Sequence, residues 1–506
     1  MPYAPQVEDL AQETFNDGFL DQDPTPWELG WTNIRSTMRI RPYQLDGIQK
    51  MVRFKRYGNR DRPGMGKTMQ AAFAAAIAGN VSDATSGKGV KTLIVCPSYL
   101  TGTWYDWLVG KDSKSLRRNN GQRIPNVPGK VRRVYGSREE RTKALRSNKW
   151  DWYIVNQEMF DGYRDLFIEL QATKGVPPKW QTIIVDESHH FRNHIANRTK
   201  TLEIVGVRAE RIWPMSATML WKEADDLYMP FRLIAPDEFK SYRDFLDLYC
   251  IADETRFGPK VLGVKTEMTG HLKKLLSLMT VGRTYKEVGR SLPTLLDDYI
   301  QVDFPPELRQ AYDDLCSYWR TEFLDFHVEN FSQFLNATRQ MTFFPGKIDA
   351  IKDKVAEHAH MGHKQVVFTW FADHAEEAAL RLEEFGAVAV TGSLYKDVEE
   401  RKKVALDPHN RIVCATIASL SEGIDLSEAR AVYFLEEAWT PGGNDQALSR
   451  IQRERIYDDD GAPIMAYYAH VKDTIDVAIH ERSQARAGVQ ESLGLKEMIF
   501  RHLNIQ

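Results

Sequence analysis

The run Asp61-Arg62-Pro63-Gly64-Met65-Gly66-Lys67-Thr68 constrains this chain more than any other stretch. It ends in Gly-Lys-Thr and leads into an alanine-rich segment, Met69 to Ala78, that reads as a helix stopped by Gly79. A glycine-containing loop that opens a helix turns backbone N–H groups toward a polyphosphate, and the helix N-terminus adds partial positive charge. In that setting Gly64, Met65 and Gly66 form the cradle, Lys67 reaches the β- and γ-phosphates, and the Thr68 hydroxyl holds Mg²⁺. The full pattern asks for glycine where this chain has Asp61. Taken alone, the run is also compatible with a glycine-rich turn before an ordinary helix, so its partners downstream decide the reading.

The first partner is Asp186-Glu187, directly after the apolar run Thr182-Ile183-Ile184-Val185. A carboxylate pair at the C-terminal end of a buried strand can hold a metal ion and activate water. Asp186 is expected to bind the metal and Glu187 to orient and deprotonate the nucleophile. A second partner is Gln446 to Arg453, where Arg450 and Arg453 stand three apart on one helix face. Guanidinium groups there can stabilise charge on a transferring phosphoryl group if two parts of the chain close on each other, although spacing alone favours a solvated basic helix face.

At 506 residues the chain is too long for one core. Short apolar runs at Lys91–Pro97, Tyr153–Val155 and Thr182–Val185 alternate with helical or loop sequence, which predicts a parallel sheet covered on both faces. A helix is expected from Tyr43 to Tyr57, with Pro42 in its first turn. From Leu227 to about Phe344 the strand signal fades and helical, aromatic-rich sequence takes over. A second alternating block follows, with strands expected at 365–369, 387–390, 411–415, 431–435 and 464–469. The one strand the pattern needs but does not supply would lie at Gly58-Asn59-Arg60, which is short and polar. The expected division is an arm at 1–38, a first α/β block at 39–235, a helical region at 236–345, a second α/β block at 346–490 and a tail at 491–506.

Composition limits the partners little. A net charge of -3 does not advertise nucleic-acid binding, yet a local basic groove suffices for it. One candidate is the basic stretch Lys111 to Arg146. Cys96, Cys250, Cys316 and Cys414 form no metal-spaced pair. No apolar run is long enough for a bilayer and no leader is visible, so a reducing, cytoplasmic setting without membrane contact is expected.

With these residues in order, the chain resembles the superfamily 2 helicase-type ATPases, and among them the Swi/Snf-type double-stranded DNA translocases. Arg41-Pro42-Tyr43-Gln44-Leu45-Asp46-Gly47 resembles the adenine-recognising segment, and Asp61 to Thr68 resembles the Swi/Snf form of the phosphate loop, which also begins with aspartate. Asp186-Glu187-Ser188-His189 is similar to the Asp-Glu-Ala-His box, and Met215-Ser216-Ala217-Thr218 to the coupling motif in its general helicase form. Thr391-Gly392-Ser393, Ser419 to Leu426, Trp439-Thr440-Pro441 and Gln446 to Arg453 resemble the second lobe's motifs. Two stretches depart from the pattern: Val281-Gly282-Arg283-Thr284-Tyr285-Lys286 replaces Arg-Arg-Thr-Lys, and Glu454-Arg455 replaces Gly-Gln.

The resemblance implies two RecA-like lobes with a helical insertion between them, ATP and Mg²⁺ as ligands, and duplex or branched DNA as partner. It implies nucleotide contacts at Gln44, Gly423 and Asp425, coupling roles for His189, Ser216 and Thr218, and arginine fingers at Arg450 and Arg453. Nucleic-acid contacts are implied at Ser98, Trp104, Thr369, Gly392 and Ser419. A monomer is expected, acting in replication, recombination or repair. Two other readings remain: a strand-separating or fork-remodelling helicase, and a nucleotide switch acting for a protein partner.

Overall fold

The computed structural model describes residues 40–86, 90–110, 127–217, 224–255, 258–289, 292–324, 331–420, 424–438, 441–452, 463–484 and 502. Chain contacts divide it into two units, Met1–Gly289 and Arg290–Gln506. Each is built on its own parallel sheet.

The first sheet contains β1 (Gly58–Asn59), β2 (Thr92–Cys96), β3 (Val131–Arg133), β4 (Trp152–Asn156), β5 (Thr182–Asp186), β6 (Arg211–Met215) and β9 (Thr280–Val281), in the order β3-β4-β2-β5-β6-β1-β9. Along β2, Leu93 and Val95 enter one apolar cluster with Ile183 and Val185, while Ile94 and Cys96 enter another with Ile184. Burial on both faces is why these strands are apolar throughout rather than alternating. The helix Lys67–Ser86 covers one face, and its buried run Ala71–Ile77 permits close approach to the sheet. As expected, Pro42 stands in the first turn of the preceding helix, Pro42–Phe54.

The polar strand at Gly58 is present, and its surroundings account for it. β1 lies between β6 and β9, paired by Asn59↔Met215, Gly58↔Thr280 and Asn59↔Val281. Asn59 is fully buried, and its amide meets Gln70 at 3.2 Å and the Asp61 backbone N–H at 3.0 Å. Tertiary partners therefore satisfy a strand that propensity would reject. β6 escaped the sequence reading because Pro214 argues against an interior strand. Its neighbours Ile212 and Ser216 donate toward the β1 side, to Lys55 and Asn59, so the missing donor at Pro214 falls on the side where β1 pairs only at Met215.

The stretch from Leu227 to Phe344, where the strand signal fades, contains strands. β7 (Cys250–Thr255) and β8 (Gly258–Val264) form an antiparallel hairpin in the first unit. β10 (Leu295–Val302) pairs in parallel with β15 (Ile464–Val471) at the edge of the second sheet. With residues such as Asp297 and Asp298 exposed or half-buried, β10 lacks the apolar run that marks an interior strand. The region expected as one helical block at 236–345 is thus shared between the units.

The second sheet adds β11 (Lys364–Thr369), β12 (Ala387–Val390), β13 (Ile412–Thr416) and β14 (Ala429–Phe434), in the order β10-β15-β14-β11-β13-β12. Its interior strands agree with the expected ones to within two residues at their starts and ends. Apolar clusters lie on both faces, one around Phe368 and Phe434 and the other around Val367 and Tyr433. Two parallel sheets flanked by helices are the two RecA-like lobes.

Candidate nucleotide site

The phosphate loop joins β1 to the helix Lys67–Ser86. Gly64 and Gly66 have φ of 76° and 81°, a region that side chains with a Cβ rarely occupy. A Cβ on Gly66 would also lie 2.8 Å from Gln44 Nε2, so a side chain there would displace that amide. The Gln44 amide donates to the Met65 carbonyl at 3.2 Å, and its oxygen accepts from the Arg41 N–H at 3.0 Å. The proposed adenine contact thereby braces the loop from the preceding helix.

Asp61, the position where glycine was wanted, is fully buried. Arg283 grips it in bidentate fashion, with Nε to Oδ1 at 2.9 Å and Nη2 to Oδ2 at 2.6 Å. The Arg283 backbone N–H adds 3.1 Å to Oδ1, and Gln70 Nε2 donates to Oδ2 at 3.0 Å. The same guanidinium donates to Asp46 at 3.1 Å and to the Tyr43 carbonyl, and the Tyr285 hydroxyl donates to the Pro63 carbonyl. Lys67 Nζ donates to the Asp61 carbonyl at 2.8 Å. The segment that departs from the family pattern is therefore the one that clamps the loop. A buried aspartate implies a cationic partner, but nothing in the sequence singles out an arginine 222 positions away.

Asp186 ends β5 and Glu187 follows with φ 48° and ψ 50°, a left-handed conformation uncommon for a non-glycine residue. Burial, and then the Glu187 charge, push the Asp186 carboxyl up to about 6, although the Trp104 indole and Lys67 pull the other way. Trp104 Nε1 donates to Asp186 Oδ2 at 2.9 Å. This corrects the expectation that Trp104 faces nucleic acid: at 1% exposure it has no face to offer, and its N–H holds the carboxylate instead.

Two of the three coupling residues come together. His189 Nδ1 lies 3.2 Å from Glu187 Oε2 and 3.0 Å from Ser216 Oγ. The Ser216 N–H donates to the Asn59 carbonyl at 3.1 Å, linking the ends of β5, β6 and β1. Thr218 lies outside the described residues, as do Gly423 and Arg453.

Among the expected nucleic-acid contacts, Ser98 and Gly392 are exposed. Thr369 and Ser419 are not: both are buried, and their hydroxyls donate to the Phe371 carbonyl at 2.9 Å and the Val390 carbonyl at 3.0 Å. Side-chain contact with a nucleic acid is closed to them here. In the second unit, Arg450 lies on the helix Pro441–Ile451 and its carbonyl accepts from the Leu426 N–H at 3.0 Å. That bond ties the arginine helix to the exposed Asp425. Of the basic stretch 111–146, residues 111–126 lie outside the described part. Arg133 donates to Thr101 at 3.0 Å, and Arg132 lies over the Tyr135 and Trp150 rings.

The residues fit a magnesium-bound nucleoside triphosphate. Gly64 and Gly66 give the loop its left-handed turns at a helix N-terminus, and Asp186 is a buried carboxylate whose pKa is raised by burial and then by the Glu187 charge. Thr68 and Asp186 would hold the metal ion.

Comparison with known proteins agrees in order and extent. Residues 43–343 match the SNF2-related domain and residues 346–455 the helicase conserved C-terminal domain. The chain is 24% identical over 491 residues to the Xenopus tropicalis SWI/SNF-related matrix-associated actin-dependent regulator of chromatin subfamily A-like protein 1, covering 94% of this chain and 47% of that one. It is 23% identical over 472 residues to the Mus musculus DNA annealing helicase and endonuclease ZRANB3, covering 89% and 39% respectively. The chain thus spans less than half the length of these two relatives. A solved structure, the Sulfolobus solfataricus SWI2/SNF2 ATPase core in complex with dsDNA, matches with TM-score 0.41 and 18% identity over 93% of this chain and 95% of that one. By the match across residues 43–343, followed by the helicase C-terminal domain, this chain belongs to the SNF2-related family.

Proposed function

We propose that the protein is a DNA-dependent ATPase that couples hydrolysis to movement along, or remodelling of, DNA. The observation that carries the reading is the continuous bonded set Lys67–Asp61–Arg283 and Glu187–His189–Ser216–Asn59, built around one phosphate loop. In this reading the backbone N–H groups of the loop and Lys67 bind the β- and γ-phosphates. Glu187 orients a water molecule and takes its proton during attack on the γ-phosphorus. Arg450 and Arg453 stabilise the charge that develops on the transferring group. Magnesium, when bound, neutralises phosphate charge. A change at the γ-phosphate would pass from Glu187 through His189 to Ser216, at the end of β6. Contacts to the DNA backbone set register without reading bases, so little sequence specificity is expected.

A second reading, re-pairing or remodelling of strands at forks, is favoured by the Ser-Ala-Thr form of the coupling motif and by similarity to proteins named annealing helicases. Steady-state ATPase rates without nucleic acid and with single-stranded, duplex, forked DNA and RNA separate the two. Stimulation by plain duplex supports translocation; stimulation by forks alone supports remodelling. No stimulation by any of them sinks both and leaves a nucleotide switch for a protein partner. Glu187→Gln should bind ATP and lose turnover in each case.

A further inference from the structure

The second unit contains a cluster that the nucleotide chemistry does not use. Glu437 follows β14, His470 lies on β15, and His480 lies on the helix Ile475–Gln484. Glu437 Oε2 is 3.0 Å from His470 Nε2 and 2.7 Å from His480 Nδ1, and the three donor atoms lie within 4.8 Å of one another. The carboxylate side chain is 3% exposed and each imidazole 14%. We propose that Glu437, His470 and His480 form a binding site for a divalent transition-metal ion of the zinc class, with one coordination position left toward solvent.

The donor set is two imidazoles and one carboxylate, from three separate elements, which suits a borderline ion and not magnesium or calcium. Around a tetrahedral zinc ion, ligand atoms stand ~3.3 Å apart given metal–ligand bonds of about 2.0–2.1 Å. The two Glu437 separations lie within about 0.6 Å of that, and all three donor atoms lie within 4.8 Å of one another. The carboxylate is already oriented: Asn444 Nδ2 donates to the other oxygen, Oε1, at 2.9 Å, while Asn444 Oδ1 accepts from the Ala438 N–H at 2.7 Å. Such outer partners are what fix a ligand's aim.

Local charge also calls for a cation. Glu436, Glu437 and Asp476 are three buried carboxylates, against Arg339 and Lys347 as buried fixed cations. Lys347 is committed to Asp476 at 2.6 Å, and Arg339 donates to the Glu437 carbonyl. Glu436 accepts at Oε2 from the Trp370 N–H and faces His374, yet its buried Oε1 has no hydrogen-bond partner among the described residues. Glu436, Glu437, His470 and Asp476 line one crevice. A bound ion would pin the helix Ile475–Gln484 to the sheet, and through Asn444 to the helix that carries Arg450.

The rival arrangement is a metal-free triad in which both imidazoles donate N–H to Glu437. Variants His470→Gln and His480→Gln separate the two, since a glutamine amide can still donate to the carboxylate but is a poor zinc ligand. The full chain, stripped with chelator and held in excess MgCl₂ to fill oxygen-ligand sites, is titrated calorimetrically with ZnCl₂. One zinc per chain is expected, with affinity reduced at least ~100-fold in either variant, a loss no smaller than that of removing an outer-shell partner. Failure of the wild-type chain to bind zinc, or equal binding by wild type and variants, overturns the site. Should the variants not fold, CoCl₂ added to the wild-type chain decides. Intense tetrahedral visible bands that zinc bleaches support the site, and only weak octahedral absorption overturns it.

Discussion

Asp61 shows how one residue can invert a motif's logic. A carboxylate with 0% exposure in a phosphate loop would repel the substrate were it not neutralised, and Arg283 does this with two side-chain bonds and one from its backbone. Removing the cation leaves a buried, uncompensated charge. Arg283→Met should therefore cost about 3 kcal/mol in denaturant unfolding, and weaken ATP binding because Lys67 leans on the Asp61 carbonyl. The double variant Asp61→Asn/Arg283→Met should recover part of the stability. If the single variant were as stable as wild type, the clamp would have no energetic role. Trp104 is the other instructive residue. Trp104→Phe keeps an aromatic ring but removes the donor to Asp186. The Mg²⁺ concentration for half-maximal ATPase should rise on the order of 10–100-fold, the cost typical of an outer-shell partner, while DNA affinity stays unchanged. Weaker DNA binding with an unaltered Mg²⁺ dependence would restore the nucleic-acid role.

Among elements, the helix Lys352–His360 offers a pH test. His358 near its end is 7% exposed, with Nδ1 3.0 Å from His363 Nδ1 and Nε2 3.2 Å from the Tyr467 hydroxyl. Burial first, and then His363, lower its pKa below 6.5, while nearby Glu357 raises it and Lys354 lowers it. The unfolded chain thus binds the proton more tightly than the folded one. The penalty is complete below the folded-state pKa and disappears as pH rises to 6.5, so stability climbs with pH across that interval. His358→Gln should flatten this part of the unfolding free-energy profile relative to wild type. Parallel profiles would show that the imidazole is not held neutral. Elements also show where reading a sequence stops. The interior strands are legible because burial on both faces forces continuous apolar runs. β1, β6 and β10 are not, because Asn59, Pro214 and Asp297 are accommodated by specific neighbours and not by propensity.

For the whole molecule, the proposed chemistry needs Arg450 and Arg453 as well as Lys67 and Glu187. Arg453→Ala should then leave ATP affinity near wild type and lower kcat on the order of 10³-fold, measured with saturating DNA. Wild-type turnover in that variant would mean that Arg453 contributes no charge to the transition state.

The sequence by itself determined the family, the two parallel sheets, the glycine loop and the carboxylate pair. These rest on local requirements: positive φ at Gly64 and Gly66, a helix start at Lys67, and apolar strands feeding Asp186. The tertiary structure alone decided which residues serve those motifs. Arg283 on Asp61, Trp104 on Asp186, Asn59 behind Ser216, and Glu437 beside His470 and His480 are contacts between distant positions. Burying a charge or a donor demands a partner, but the chain's path through the sheet chooses which one.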